Sequence, residues 1–170
     1  MAIERSRRRI AADRLHGIAR SLLDASTLCA IATVARDGKA YVNTAYFAWS
    51  DELQIVWLSH PDAQHSRNID ANSSAAIAVF DSTQTWGNPD RGIQLFGTAR
   101  AARDRGAETI YAQRFPDYRH DEFSAYRLYA LRPRRVKLFD ERALGAGVFV
   151  TAEVEHGRLA WRRTDLYRDG

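Results

Sequence analysis

A single cysteine, Cys29, stands in 170 residues, which excludes an internal disulfide and suits a reducing cytoplasm. It lies in the apolar run LCAIATV, the setting of a buried, inert thiol rather than of a nucleophile. No apolar run approaches the ~20 residues that a bilayer-spanning helix requires, so no membrane span is expected. The basic N-terminus, MAIERSRRRIAADRL, is not followed by a continuous apolar stretch, and no secretory signal is read there. Internal repeats, low-complexity tracts and composition breaks are missing too, so a single domain over residues 1–170 is expected. His16, His120 and His156 have no Cys or carboxylate at ligand spacing, and no metal site is assigned. No acid–base dyad or nucleophile triad is visible, and no catalytic residue is assigned.

What is present is a modest excess of positive charge. The chain holds 25 Lys and Arg against 21 Asp and Glu, a net charge of +4. Much of the excess sits in Arg5, Arg7, Arg8, Arg9, Arg14 and Arg20. Such a cluster has two readings, an anionic partner such as nucleic acid or the solvated face of a helix. Ala11, Leu15, Ile18 and Leu22 recur at helical spacing, so a helix over residues 7–25 is expected, its apolar face covered and its arginines in water. No groove-reading motif accompanies the arginines, and a nucleic-acid partner is not expected.

Beyond this helix the pattern changes to strands. LCAIATVARDGKAYVNTAYFAW reads as two strands around Asp37-Gly38, a dipeptide favoured in type I′ hairpins because both central residues take positive φ. LQIVWLS (53–59) adds a third strand to an antiparallel meander. Pro61 suits the first turn of a helix over 61–71, where its missing N–H would be unpaired anyway. AAIAVFD (75–81) and RGIQLFGTARA (91–101) are the next strands, and DRGAETIYAQRF (104–115) is a helix that FPDY breaks. YRLYALRPRRVKLFD (126–140) gives further strands interrupted by Pro133, and GVFVTAEV with RLAWRR forms a terminal hairpin, 146–163, around His156-Gly157.

The strands are apolar on both faces. Tyr41, Ala45, Phe47 and Trp49 share one side of 41–49, and Val42, Thr44, Tyr46 and Ala48 share the other. Such strands need cover on both sides. A closed barrel covers the inner face, and helices or a second subunit cover the outer one. The expected fold is therefore mainly β, a small barrel over residues 27–140 with flanking helices, paired as a homodimer.

One stretch crowds polar groups between two apolar strands: SHPDAQHSRNIDANSSAAIAVF, residues 59–80. Ser59, Gln64, His65 and Arg67 offer a hydroxyl, an amide, an imidazole and a guanidinium at the start of a helix, whose unpaired N–H groups and dipole attract anions. The cluster by itself allows two readings. It grips a phosphate, or Arg67 and Asn68 are a solvated face and a cap while Ile69 alone packs inward.

Taken in order, the first hairpin, LQIVWLSHPDAQHSRNIDANSSAAIAVF, GIQLFGTARAA, RFPDY and YALRPRRVKLFD resemble the FMN-binding split barrels, specifically the pyridoxamine 5′-phosphate oxidase-like proteins. The resemblance covers residues 22–140. It implies a homodimer binding FMN in two clefts at the subunit interface. The ring would lie against Val42, Asn43, Thr44, Ala45, Tyr46 and Phe47, and the phosphate against Leu58, Ser59 and the start of the next helix. Where oxidases of the family carry an Arg-Lys pair, this chain has Gln64 and His65, with Arg67 beyond, and the flanking strands favour the phosphate grip. Asn43 and Gln94 are candidates to hydrogen-bond the ring edge, although the glutamine of the oxidases aligns with Gly92. Trp86 either lines the substrate side of the cleft or packs on its own loop.

The tail RLAWRRTDLYRDG carries Arg162 and Arg163 but not the Arg and His segment with which the true oxidases hold their substrate phosphate. Vitamin B6 oxidation is therefore not the leading expectation. The resemblance implies an FMN-dependent oxidoreductase acting on a small molecule, in which the flavin carries the hydride chemistry. The alternatives are a deazaflavin, with the N-terminal arginines meeting its acidic tail, and a non-catalytic flavin or haem binding protein with His65 or His120 as axial ligand.

Overall fold

The computed structural model describes residues 2–168; Met1, Asp169 and Gly170, the ends of the expected domain, lie outside the described residues. In chain order the elements are β1 (Ala2–Ser6), α1 (Ala12–Asp24), β2 (Leu28–Val34), β3 (Ala40–Trp49), β4 (Ile55–Ser59), α2 (Gln64–Ala71), β5 (Ser74–Phe80), β6 (Arg91–Ala101), α3 (Arg105–Arg114), β7 (Arg127–Asp140), α4 (Glu141–Leu144), β8 (Val148–Glu155) and β9 (Arg158–Arg168). They form a nine-stranded sheet ordered β1-β9-β8-β7-β4-β3-β2-β5-β6, and an additional β7–β6 pairing closes β2 to β7 into a six-stranded antiparallel barrel. The chain divides into two compact units, one of Met1–Ser26, Ala78–Leu95 and Arg134–Gly170, the other of Thr27–Ile77 and Phe96–Pro133.

The second unit holds the first hairpin. β2 and β3 pair from Leu28↔Tyr46 to Val34↔Ala40. Their turn is not the expected type I′. Gly38 alone takes positive φ (82°), and its N–H donates to the Ala35 carbonyl at 2.9 Å, as in a type I turn followed by a left-handed glycine. Alternation then sorts the strands: Cys29, Ile31 and Thr33 of β2 point inward and are buried, as is Phe47 of β3. Trp57 and Tyr129 face each other in register across β4 and β7, their rings stacked at 5.9 Å. Burying each such ring contributes roughly 1.5–3 kcal/mol.

The helices of this unit lie where the strands present small residues. α3 starts at Asp104, whose carboxylate accepts the Ala107 N–H at 3.1 Å, and it packs Ala107 and Tyr111 onto Ala48, Val56 and Ala130. α2 starts at Gln64, three residues after Pro61, because Pro61 and Asp62 are used in a turn closed by the Ala63 N–H on the His60 carbonyl. Asn68 is neither solvated nor only a cap. It is buried and donates to Thr33 Oγ1 at 3.0 Å, bonding α2 to β2, while Ile69 packs inward beside it.

β7 runs unbroken through Pro133. A proline cannot donate to the ladder, but here it meets Gly97 of β6. A Cβ at Gly97 would lie 2.1 Å from the Arg132 carbonyl oxygen and 2.7 Å from Pro133 Cα. The close passage replaces the interruption expected from the sequence.

In the first unit, α1 buries Leu15, Ile18, Ala19, Leu22 and Leu23. It begins at Ala12 rather than at residue 7, and the chain before it forms a strand, Ala2–Ser6, pairing with β9 from Ala2↔Arg168 to Ser6↔Thr164. Several arginines have local partners. Arg8 and Arg14 donate to the carbonyls of Leu144 and Ala143, both at 2.7 Å, at the C-terminus of α4, where a cation is favoured. Arg9 lies over the Trp161 ring at 5.2 Å. The two positive φ values of a type I′ turn occur at His156 (51°) and Gly157 (76°), between β8 and β9.

These packings have opposite consequences at two glycines. Gly97→Ala drives a methyl into backbone and is expected to destabilise the protein by about 3 kcal/mol. Gly17→Ala in α1 meets nothing within 4 Å and is expected to stabilise it by about 0.5–1 kcal/mol. Urea denaturation midpoints of the two variants check both signs.

Candidate functional site

The second unit contains a cavity of about 660 Å³. Its floor is β3 from Asn43 to Tyr46 with Leu58 and Ser59 at the end of β4. One end is the turn into α2, through His60, Ala63 and His65. The remaining wall comes from Tyr111 and Phe115 of α3 and its C-cap, and from the irregular segment that follows.

The α2 end is organised for hydrogen bonding. Ala63, the N-cap, has no side chain to satisfy the first-turn N–H groups, which are left to a ligand or water. Ser59 Oγ lies 2.7 Å from His65 Nε2, and the buried Ser66 hydroxyl donates to the His60 carbonyl at 2.9 Å. Burial lowers the His65 pKa below 6.5, favouring the neutral ring. On the floor, Asn43 Oδ1 is buried without a hydrogen-bond partner, an acceptor facing a cost until a donor arrives. Cys29, on the neighbouring strand, is buried, and desolvation pushes its thiol up to about 12, which keeps it protonated and unreactive.

The structure brings Asn43, Thr44, Ala45, Tyr46, Leu58, Ser59 and His65 to one cavity, and it does not bring the rest of the expected set there. Successive helical residues are turned by ~100°, so residues flanking His65 face elsewhere. Gln64 and Arg67 line a separate depression with Arg36 and Tyr41. There Arg67 donates to the Asp62 carbonyl and to Gln64 Oε1, and Gln64 Nε2 donates to Asn68 Oδ1 at 2.8 Å. Phe47 is fully buried beneath Arg114, whose guanidinium lies 4.6 Å from the ring centre. Gln94 is exposed on β6, and Trp86 is fully exposed on its loop. His120 is exposed, 3.3 Å from the Tyr118 hydroxyl and 3.8 Å from Glu108. Among the described residues no cluster of His, Cys, Asp or Glu is arranged to hold a metal ion.

Sequence reasoning missed the aromatic wall. Tyr111, Phe115, Tyr118, Phe123 and Tyr126 touch ring to ring, joining Tyr46 at one end and His60 at the other. Four of them sit in FPDYRHDEFSAY, which has neither helical nor strand period. The available signal was four large rings in an otherwise polar loop.

His65 also sets a pH dependence. Its folded pKa lies below the unfolded value, so the stability associated with the neutral ring is present above about pH 6.5 and is lost as pH falls through the folded value. His65→Gln is expected to shrink the drop in urea midpoint between pH 7.5 and 5.5; an undiminished drop would assign it to other groups.

Residues 15–140 match the sequence family described as pyridoxamine 5′-phosphate oxidase. No curated protein matches the chain. Among solved structures, a haem binding protein from Mycobacterium smegmatis aligns at TM-score 0.64 and 18% identity, over 86% of this chain and 59% of that one. This chain thus spans less than two thirds of that protein. The haem storage protein HutZ from Vibrio cholerae aligns at TM-score 0.57 and 18% identity, over 68% of this chain and 87% of its own. A Clostridium acetobutylicum protein related to general stress protein 26, of the pyridoxine phosphate oxidase family, aligns at 0.65 and 12%, over 87% and 99%. At these identities the structures share the fold. With the family matched across most of its length and the split barrel formed, this chain belongs to the pyridoxamine 5′-phosphate oxidase family.

Proposed function

We propose that the protein is an FMN-dependent oxidoreductase that holds its flavin in the 660 Å³ cavity. The observation that carries this reading is the uncapped start of α2, with Ser59 and His65 beside it, at one end of a cavity with an aromatic wall. The residues fit the cofactor. First-turn N–H groups and the Ser59 hydroxyl match a phosphate, the unpaired Asn43 Oδ1 matches a ring N–H donor, and Tyr46 offers apolar contact. Bound flavin supplies two-electron chemistry; the chain orients it and limits its contact with water. Because the neutral His65 ring must gain a proton to become a cation, phosphate binding is coupled to proton uptake and weakens as pH rises.

FMN titration by flavin fluorescence tests this. His65→Ala with Arg67→Ala is expected to lower affinity about tenfold, with His65→Ala carrying most of the loss, since Arg67 is bonded elsewhere. Riboflavin, which lacks the phosphate, is expected to be indifferent to the change. Equal loss for both flavins would remove the phosphate role. Reduction of bound FMN by a nicotinamide donor separates an enzyme from a binder.

A haem reading has its own observation, the imidazoles of His60 and His65 on the same cavity. It draws support from the two haem proteins that share the fold. Absorption spectra after loading with FMN or hemin, followed by gel filtration, distinguish the two by which chromophore remains with the protein.

The outer faces of β2 and β3 support a homodimer. Leu28 (45% exposed), Val42 (71%) and Tyr46 (59%) stand on one mostly apolar sheet face with Ala30, Ala32 and Thr44. A patch of this kind is costly in water and suits a symmetric partner. Val42→Asp is expected to convert a dimer to a monomer in light scattering; a wild-type monomer at micromolar concentration overturns the assembly.

A further inference from the structure

The phosphate end and the floor leave the outer wall of the cavity without an occupant, and that wall has a chemistry of its own. Tyr118, Phe123 and Tyr126 are joined through ring contacts of 5.7 and 6.0 Å, the first near-parallel (25°) and the second near-perpendicular (79°). His60 meets Tyr126 at 5.7 Å and 89°. Near-perpendicular rings form the corner of a box rather than a flat stack. Phe123 and Tyr126 stay 36% and 45% exposed, though both are large apolar surfaces beside a cavity. Their edge-to-face contact therefore leaves much of their surface in water.

Charge narrows what the box can take. Among the described residues no Lys or Arg lines the cavity, and the one carboxylate there, Asp117, is exposed without a hydrogen bond or ion pair. The nearby Arg119 turns away, donating to the carbonyls of Pro116 and Tyr118 at 2.6 and 3.0 Å. Aromatic faces carry negative electrostatic potential and attract cations, Tyr and Phe included. An anionic substrate would meet a carboxylate and ring faces here, with no fixed positive charge to hold it.

We propose that Tyr118, Phe123, Tyr126 and Asp117 form the substrate end of the cavity and select a small aromatic or N-heterocyclic cation. The rings supply stacking and cation–π attraction, and the carboxylate supplies the counter-charge at the mouth. As a substrate site it rests on the flavin reading above; as a cation site it does not.

The test uses three soluble probes of similar size: benzyltrimethylammonium, benzyl alcohol and benzoate. Their affinities are measured by calorimetry on the full chain, with and without FMN. The cation is expected to bind about tenfold tighter than the alcohol, and benzoate weakest. Asp117→Asn, at an exposed position, is expected to erase most of the cation's advantage, and Tyr126→Leu to weaken it further. Equal binding of the three probes, preference for benzoate, or an Asp117→Asn protein with the full advantage overturns the proposal. FMN titration of the same samples reports on the cofactor separately. Protein that takes FMN but shows no cation preference overturns the cation site alone, and protein that prefers the cation but takes no FMN overturns the flavin reading alone.

Discussion

The hydrogen bond from Asn68 to Thr33 decides which side of α2 meets the cavity. Both groups are buried, so breaking the bond would strand a donor and an acceptor away from water. With Asn68 and Ile69 held against the barrel, helical geometry leaves no freedom to its neighbours. His65 turns to Ser59 and the cavity, while Gln64 and Arg67 turn to the depression beside Arg36. Four residues that look like one cluster in the chain thus serve two surfaces.

The same economy of position runs through the floor and roof. Ala48, Val56 and Ala130 are small enough for α3 to lie close, and that closeness brings Tyr111 and Phe115 over β3. Between Phe115 and β7 the chain runs as hydrogen-bonded turns, and ring-to-ring contact ties them together. The wall of the cavity is therefore built of the groups that would contact a ligand. A ligand there would join an existing aromatic arrangement rather than create one.

Polar groups at the site are few and differently committed. Ser66 is spent on the turn carbonyl and Asn68 on the barrel. Ser59 and His65 hold each other, and Asn43 Oδ1 holds nothing. Such a set suits the placement of a ligand, with one acceptor still to be met.

Much of this was legible beforehand where short-range physics decides. Short apolar, β-rich runs between turn residues marked β2 to β6, DRGAETIYAQRF marked α3, and doubly apolar strands implied a closed barrel. Local signals failed where a distant partner competed. Residues 7–11 stayed out of α1 while Ala2–Ser6, given no element beforehand, paired with the edge of β9, and β7 passed Pro133 because Gly97 made room. Asp37-Gly38 took a longer turn while His156-Gly157 took the tight one. Residue order thus determined β2 to β6, the barrel and the polar start of α2, since these follow from spacings of a few residues. Only tertiary structure decided which side of α2 faces the cavity and that five rings from α3 and an irregular loop wall it, because those contacts depend on burial between segments that no local period connects.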